Sequence, residues 1–376
     1  MKKYKNQIII AGIIMILIIT GITFKSKSKD SNCVKAVVLE VLDNKIQKEA
    51  DIPDAYIGTQ VLKLKITSGK FKGKEIVVTN SKVNGDLVYD VIAKKGMKLV
   101  LLMKEIDGEI DSILIDNYSR ENAIYLLGFL LIVALLVIGR MRGLMALISL
   151  ALTGFLLIYV VLPLIFKGYN PMILVSLLVI VVTVTTLFLI GGITQKSVVA
   201  IIGTIIGVLS AGIISLIFGK MAHLTGITGE ASEQLIYIMG DHPLNIKGIM
   251  FAGIIIASLG AVMDVGMSIA STMFEIDRRI PDISKKELFT SGMNVGKDIM
   301  GTMANTLILA FAGSSLSLMI LLMAYEVPYL RVINLNMVST EIIQGLAGTT
   351  GLVLTVPITS FIGALLIKKG KKSILN

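Results

Sequence analysis

A carboxylate inside a long apolar run is the first place where this chain has chemistry to offer. Asp264 lies near the middle of the run 248–273, and Gly260, Ser268 and Thr272 share its helical face at intervals of four. An ionised carboxyl at bilayer mid-depth costs about 2.5–3.5 kcal/mol even on an insertion scale. No Lys or Arg falls within any of the long apolar runs to pair with it. Asp264 is therefore protonated, hydrated in a cavity or bound to a cation, which is the chemistry of a transport path. A protonated Asp bonded to a neighbouring helix is the structural alternative. The next run opens with Gly296-Lys297-Asp298. Asp298, Thr302 and Asn305 again repeat at helical spacing, with Thr306 beside them. Asp298 also suits a first helical turn, where its charge complements the helix dipole. Asn305 lies deeper and needs a hydrogen-bond partner. A single cavity shared by Asp264 and Asn305 is the arrangement these spacings suggest.

Three other features carry weaker chemistry. Pro357 stands between Thr355 and Thr359 in the last apolar run. It cannot donate to the carbonyl of Val353, so it marks a hinge, a cation-binding carbonyl or a kink satisfied by the Thr hydroxyls. His223 and His242 lie between two runs with Glu230, Glu233 and Asp241. They are weak zinc ligands at best, because the spacing matches no metal motif, and no metal or cofactor is expected. Sequence motifs for a zinc hydrolase, a P-loop or a serine hydrolase are absent, and the chain does not read as an enzyme.

The elements that must position these residues are membrane helices. Of 376 residues, 54% are hydrophobic and 16% charged, against about 25% charged in soluble chains. The apolar residues gather in runs at about 8–24, 123–139, 143–165, 171–190, 198–218, 248–273, 299–323 and 346–367. Each is long enough, at 1.5 Å per residue, to cross most or all of a hydrocarbon core of roughly 30 Å. The expected fold is an α-helical polytopic membrane protein of about eight transmembrane helices. The first run lacks a small-residue cleavage site and is flanked by lysines, so residues 1–29 read as an uncleaved signal anchor. With the N-terminus inside, cytoplasmic segments collect fifteen Lys and Arg, and the short outer loops hold Lys167, Lys220, Lys247 and Arg331. Both termini are therefore expected in the cytoplasm, and residues 25–122 outside. The net charge of +10 reflects this orientation rather than nucleic-acid binding. In the fourth run after the polar segment, Gly203, Gly207, Ala211, Ser215 and Gly219 line one face. That face suits close helix packing, a smooth substrate path or dimerisation.

Residues 30–120 differ in character. Polar and apolar residues alternate over 34–42, 56–67, 74–79, 98–104 and 109–115, as in β-strands. Ser68-Gly69, Asn84-Gly85 and Asp107-Gly108 supply turns, the last being the clearest hairpin. Five short strands suit a small extracytoplasmic β-barrel, OB-like, after the first transmembrane helix. Its balanced charge, 17 basic and 15 acidic residues over 25–122, and the lack of an aromatic platform argue against nucleic acid. Residues 121–376 then form a seven-helix core with a basic tail. Cys33 is the lone cysteine, so no intrachain disulfide can form.

The blocks Gly260-Ala-Val-Met-Asp264-Val-Gly-Met-Ser268 and Gly296-Lys-Asp298-Ile-Met-Gly301-Thr302-Met-Ala-Asn305-Thr306 resemble the YibE/F-like family of bacterial membrane proteins. So do Arg142-Gly143-Leu144, Gly191-Gly192-Ile-Thr194-Gln-Lys196 and Val356-Pro357-Ile-Thr359, in the same order along the whole chain. The resemblance implies a multi-span membrane protein and no particular substrate. The functional expectation rests on the polar stripe: a transporter or permease, proton- or cation-coupled, for a small solute or ion. A non-transporting scaffold or sensor, whose outer domain binds a partner, is the alternative. The bilayer and further copies of the chain are the other expected partners.

Overall fold

The computed structural model describes residues 12, 14, 33–49, 55–84, 90–106, 109–238 and 244–372. The expected anchor (apart from Gly12 and Ile14), the Asp107-Gly108 turn and His242 lie outside them. The chain divides into two compact units, one over Thr23–Ala134 and one comprising Leu135–Asn376 with Met1–Ile22.

The first unit is a curled antiparallel sheet. Its strands are β1 (Cys33–Asn44), β2 (Gln47–Lys48), β3 (Tyr56–Ile66), β4 (Glu75–Asn84), β5 (Lys98–Ile106) and β6 (Glu109–Tyr118). The order is β2-β3-β1-β5-β6, with β4 also on β3. The expected hairpin closes with Ile106 opposite Glu109. Alternation decides the faces: Leu62, Leu64 and Ile66 of β3 point inward with Ala36, Val38, Leu99 and Leu101, while Lys63 and Lys65 point out. At Gly58 the φ of +137° belongs to glycine, and a side chain there would collide with the carbonyl of Lys45. This is where the register of β3 on β4 shifts.

The irregular stretch 90–94 contributes Val91 and Ala93 to the sheet core. Having no ladder, its backbone is satisfied by side chains. Gln60 accepts from the Ala93 amide at 2.9 Å and donates to the Ala93 carbonyl at 3.1 Å. Asn80 donates to the Val91 carbonyl at 2.6 Å, and the Tyr118 hydroxyl bonds both the N–H and the C=O of Ile92.

The second unit is helical. It takes in α1 (Glu121–Leu156) from Leu135 onward, and α1 runs through a π-turn at Leu157–Val161 into α2 (Leu162–Phe166). Pro163 lacks the N–H that regular α-bonding needs there, which accounts for the wider turn. Next come α3 (Pro171–Gly191), α4 (Gln195–Met221), α5 (Glu230–Ile238), α6 (Ile246–Arg279), α7 (Lys285–Ser314), α8 (Leu316–Ala324), α9 (Tyr329–Asn334) and α10 (Asn336–Lys372). Among the described residues, five helices are long and apolar enough to cross a membrane, six if α7 and α8 are one bent span.

Two differences from the expected spans have local causes. The expected spans 123–139 and 143–165 form one helical run, but Arg140 has φ 47° and ψ −124°, so the run is broken there. A straight helix would hold residues 135 and 143 about 12 Å apart. Instead, a side chain on Gly143 would collide with the carbonyl of Leu135. The backbone therefore turns sharply where two spans were expected to meet. The expected span 299–323 is bent by 58° where α7 gives way to α8 at Ser315.

The core of this unit lies where α4, α6 and α10 converge, among Val199, Val208, Val262, Ile269, Leu352 and Val356. The small face of α4 makes that convergence possible. Side chains at Gly203 and Gly207 would overlap Thr359 and Thr355 of α10, and one at Gly351 would meet Ala211 at 2.5 Å. Gly212 and Gly219 of α4 lie against Ile255 and Phe251 of α6. Lipid gives helices no hydrophobic reason to associate, so close backbone approach supplies the contact. The face is thus filled within the chain. It is open neither to a substrate nor to a second copy, which corrects those two expectations.

Candidate functional site

The helical pair that carries the polar stripes is fixed at both ends by its own sequence. Asn245 caps α6 by accepting from the Gly248 amide at 2.8 Å. Arg278 and Arg279 in its last turn pair with Glu275 at 3.2 and 3.1 Å, complementing the dipole. Ser284 and Glu287 form a reciprocal capping box that starts α7, with bonds of 2.9 and 3.1 Å. The backbone bond from the Ser284 amide, with that residue's side chain, holds the Glu287 carboxyl below the usual range. The short connection 280–284 makes the two helices antiparallel neighbours.

Glycines set their register. A side chain on Gly296 would meet Ile269 at 3.0 Å, one on Gly292 would meet Met273 at 2.6 Å, and Leu307 and Ser258 both lie against Gly348. Counting along the pair from these contacts places Asp264 level with Gly301, and Ser268 level with Lys297. Asp298 and Thr302 flank the level of Asp264. Asn305 lies a turn away, level with Gly260, so it does not stand directly opposite Asp264.

Asp264, Asp298, Thr302, Asn305 and Thr306 are all exposed on the surface of this unit, and Ser268 is half-buried. The suggested internal cavity between Asp264 and Asn305 is thus replaced by two outward-facing polar stripes on adjacent helices. Gly253, Gly260 and Gly301 continue the exposed faces, with nothing within 4 Å of where a side chain would begin. The hydroxyls of Thr302 and Thr306 donate back to the carbonyls of Ile299 and Thr302, and Thr272 donates to Ser268, each at 2.9 Å. Their oxygens keep lone pairs that can accept from water or coordinate a cation. Asp264, Asp298 and Asn305 have no side-chain hydrogen bond or ion pair among the described residues. A carboxylate so placed can exchange a proton or take a hard cation, with hydroxyl and amide oxygens on either side.

Pro357 lies inside α10, half-buried. The Thr355 hydroxyl donates to the Gly351 carbonyl at 2.9 Å, and not to the Val353 carbonyl that Pro357 leaves without its usual donor. Thr359, Ser360 and, on α4, Thr204 have buried hydroxyl oxygens without a hydrogen-bond partner among the described residues. Sequence reading passed over Thr204 and Ser360, since lone hydroxyls in apolar runs look like packing, and it named Thr359 only as a hydroxyl for the Pro357 kink, a bond its side chain does not make. His223 sits in a left-handed turn with φ 56°, its Nδ1 2.9 Å from the Met221 carbonyl. Among the described residues no three His, Cys, Asp or Glu side chains form a metal-binding group. Asn336 ties that loop to α10, accepting from the Thr225 amide at 3.2 Å and donating to the Ile227 carbonyl. Glu341 is another residue the sequence reading missed. The expected last span began at 346, whereas α10 starts ten residues earlier and carries Glu341 within it.

A curled antiparallel sheet followed by a body of long apolar helices, with carboxylates on two of them, defines a class of membrane protein with an appended β unit. Residues 127–369 match the model of the YibE/F-like protein family, and residues 32–118 match the YibE/F family N-terminal domain. The chain belongs to the YibE/F-like family. Comparison with curated proteins and with solved structures gives no match.

Proposed function

We propose that the chain is a membrane transporter or permease, proton- or cation-coupled, whose path runs along the polar faces of α6 and α7. The observation that carries this reading is Asp264, exposed at mid-helix without a cationic partner and level with the Asp298–Thr302 turn of the neighbouring helix. Hydrocarbon does not solvate such a face, so water, an ion or another protein surface must cover it. Asp264 would carry the proton or cation, and Ser268, Thr302, Asn305 and Thr306 would supply oxygens along the path. Asp298 would receive the cargo one turn nearer the α7 start, and Pro357 would hinge α10 against the pair.

The proposed frame has eight spans. Residues 8–24 cross first, the run broken at Arg140 crosses twice, and α3, α4, α6, the bent α7–α8 and α10 supply the rest. Both termini are then cytoplasmic and the sheet unit lies outside, with an OB-like barrel as its proposed form. No catalysis, nucleic acid, metal or cofactor enters this reading, and a homo-oligomer covering the α6–α7 face is compatible with it.

The test is proton or cation flux in proteoliposomes holding the full chain, read by an internal pH-sensitive dye under an imposed membrane potential. Asp264→Asn should lower the flux by about a hundredfold, the low end of what a proton-transferring group contributes. Equal flux and equal pH dependence in the variant would refute coupling through Asp264. A second reading, a scaffold or sensor that binds a partner through its outer domain, draws on Val77, Leu102, Ile106 and Leu114, which are large apolar residues exposed on the sheet. Removing residues 30–118 separates the readings, because a carrier keeps its flux and a scaffold loses its partner.

A further inference from the structure

The bend between α7 and α8 forms one side of a half-open recess of about 620 Å³, bounded also by α9 and the first turns of α10. That volume falls within the range of small-molecule sites, about 300–1,000 Å³. Its wall is apolar, with Phe311, Leu318, Leu322 and Leu346 prominent, and it shares no residue with the polar faces of α6 and α7. Met319 and Met323 stand exposed in the same wall. Their flexible thioethers adapt to chains of differing shape. One charged residue enters the wall, Glu341, half-buried on α10. It lies five residues past Asn336, roughly 7 Å along the helix axis, near the end of the span. Leu346 lies a further turn and a half inward. The cavity therefore has a carboxylate at the membrane-boundary level and an apolar interior reaching toward the bilayer centre.

We propose that this cavity binds a bilayer amphiphile with an amine-bearing head, its ammonium against Glu341 and its alkyl chain between α7, α8 and α10. Charge selects the head. An anionic head would meet the Glu341 carboxylate, whereas an ammonium gives it a charge-assisted hydrogen bond in a weakly hydrated place. The apolar wall selects the chain, since an apolar cavity does not hold water. The inference rests on α10 crossing the membrane and not on Asp264, so either reading can fail without the other.

The experiment uses the full chain in phosphatidylcholine nanodiscs with two photoreactive probes of equal chain length, hexadecylamine and hexadecyl sulfonate. The amine should label peptides within 308–346 about tenfold more strongly than the sulfonate, as a hydrogen bond to a charged group allows. Glu341→Gln should abolish that preference while labelling at Phe311 and Leu318 persists. Gly345→Phe fills the cavity, its new side chain starting 3.6 Å from Phe311, and should suppress both probes. If that variant does not run as a folded species on gel filtration, Leu346→Trp at the exposed rim replaces it. Equal labelling by the two probes in the unaltered chain, labelling spread over the whole body, or labelling indifferent to the filling variant would each overturn the proposal. So would crosslinks from the cavity wall to a second copy of the chain that exclude the probes.

Discussion

At the scale of single residues, the strongest constraints are the glycines of α4 and the carboxyl of Glu121. Gly207 leaves no room beside Thr355, and Gly203 none beside Thr359. Gly207→Leu should cost about 1–3 kcal/mol by overpacking, read as a lower melting temperature of the purified protein. Gly260→Leu, on an open face, should leave that temperature unchanged unless another chain covers the face. Glu121 shows how a charge acts where water is present. A hydrogen bond from Lys35 at 2.8 Å, then one from Ser119, bring its carboxyl down from the usual 4.5 to about 2. A lowered folded-state value stabilises above the unfolded value and is lost as pH falls through the folded one. The contribution is therefore full above about 4.5 and disappears toward about 2. Glu121→Gln should flatten the acid side of a circular-dichroism melting series across that window, and added salt should weaken the effect in the parent chain.

At the scale of elements, strands and helices answered to different signals. The period-2 alternation of β1, β3 and β5 marks their inward faces without reference to the rest of the chain, and the two-residue β2 is too short to show a pattern. Helix boundaries moved further. α7 begins at Lys285, fourteen residues before the expected span, because the capping box at Ser284 starts the helix while apolarity starts the membrane. The polar faces of α6 and α7 make a prediction at this level. In a Cys33→Ser background, Ser268→Cys and Thr302→Cys should react with a water-soluble maleimide. Ile213→Cys, 57% exposed on an apolar face of α4, should react at least about tenfold more slowly, since thiolate chemistry needs water. Equal protection of all three would place lipid against the α6–α7 face.

At the scale of the whole molecule, the lone cysteine reports orientation. Cys33 is exposed at the start of β1. On intact cells a membrane-impermeant maleimide should label it, and should fail to label Lys196→Cys, in the first turn of α4, in a Cys33→Ser background. The reverse pattern would invert the proposed topology. Family membership spans both units, which ties the sheet and the helical body to one inheritance and leaves the cargo to be found by flux.

Composition and periodicity alone determined that the chain pairs an antiparallel sheet with long apolar helices, because burial of alternating or continuous apolar residues is a local demand of each segment. They also picked out Asp264 and its stripe, since a carboxylate in hydrocarbon is conspicuous at any fold. The assembled structure decided which faces meet. It filled the glycine face of α4 with α10 and α6, left the carboxylate stripes of α6 and α7 outside, set Asn305 a turn from Asp264, and put Glu341 into a cavity made by a bend. Spacing along one helix says which residues share a face. Only packing among helices, where small differences in volume choose the neighbour, says what that face touches.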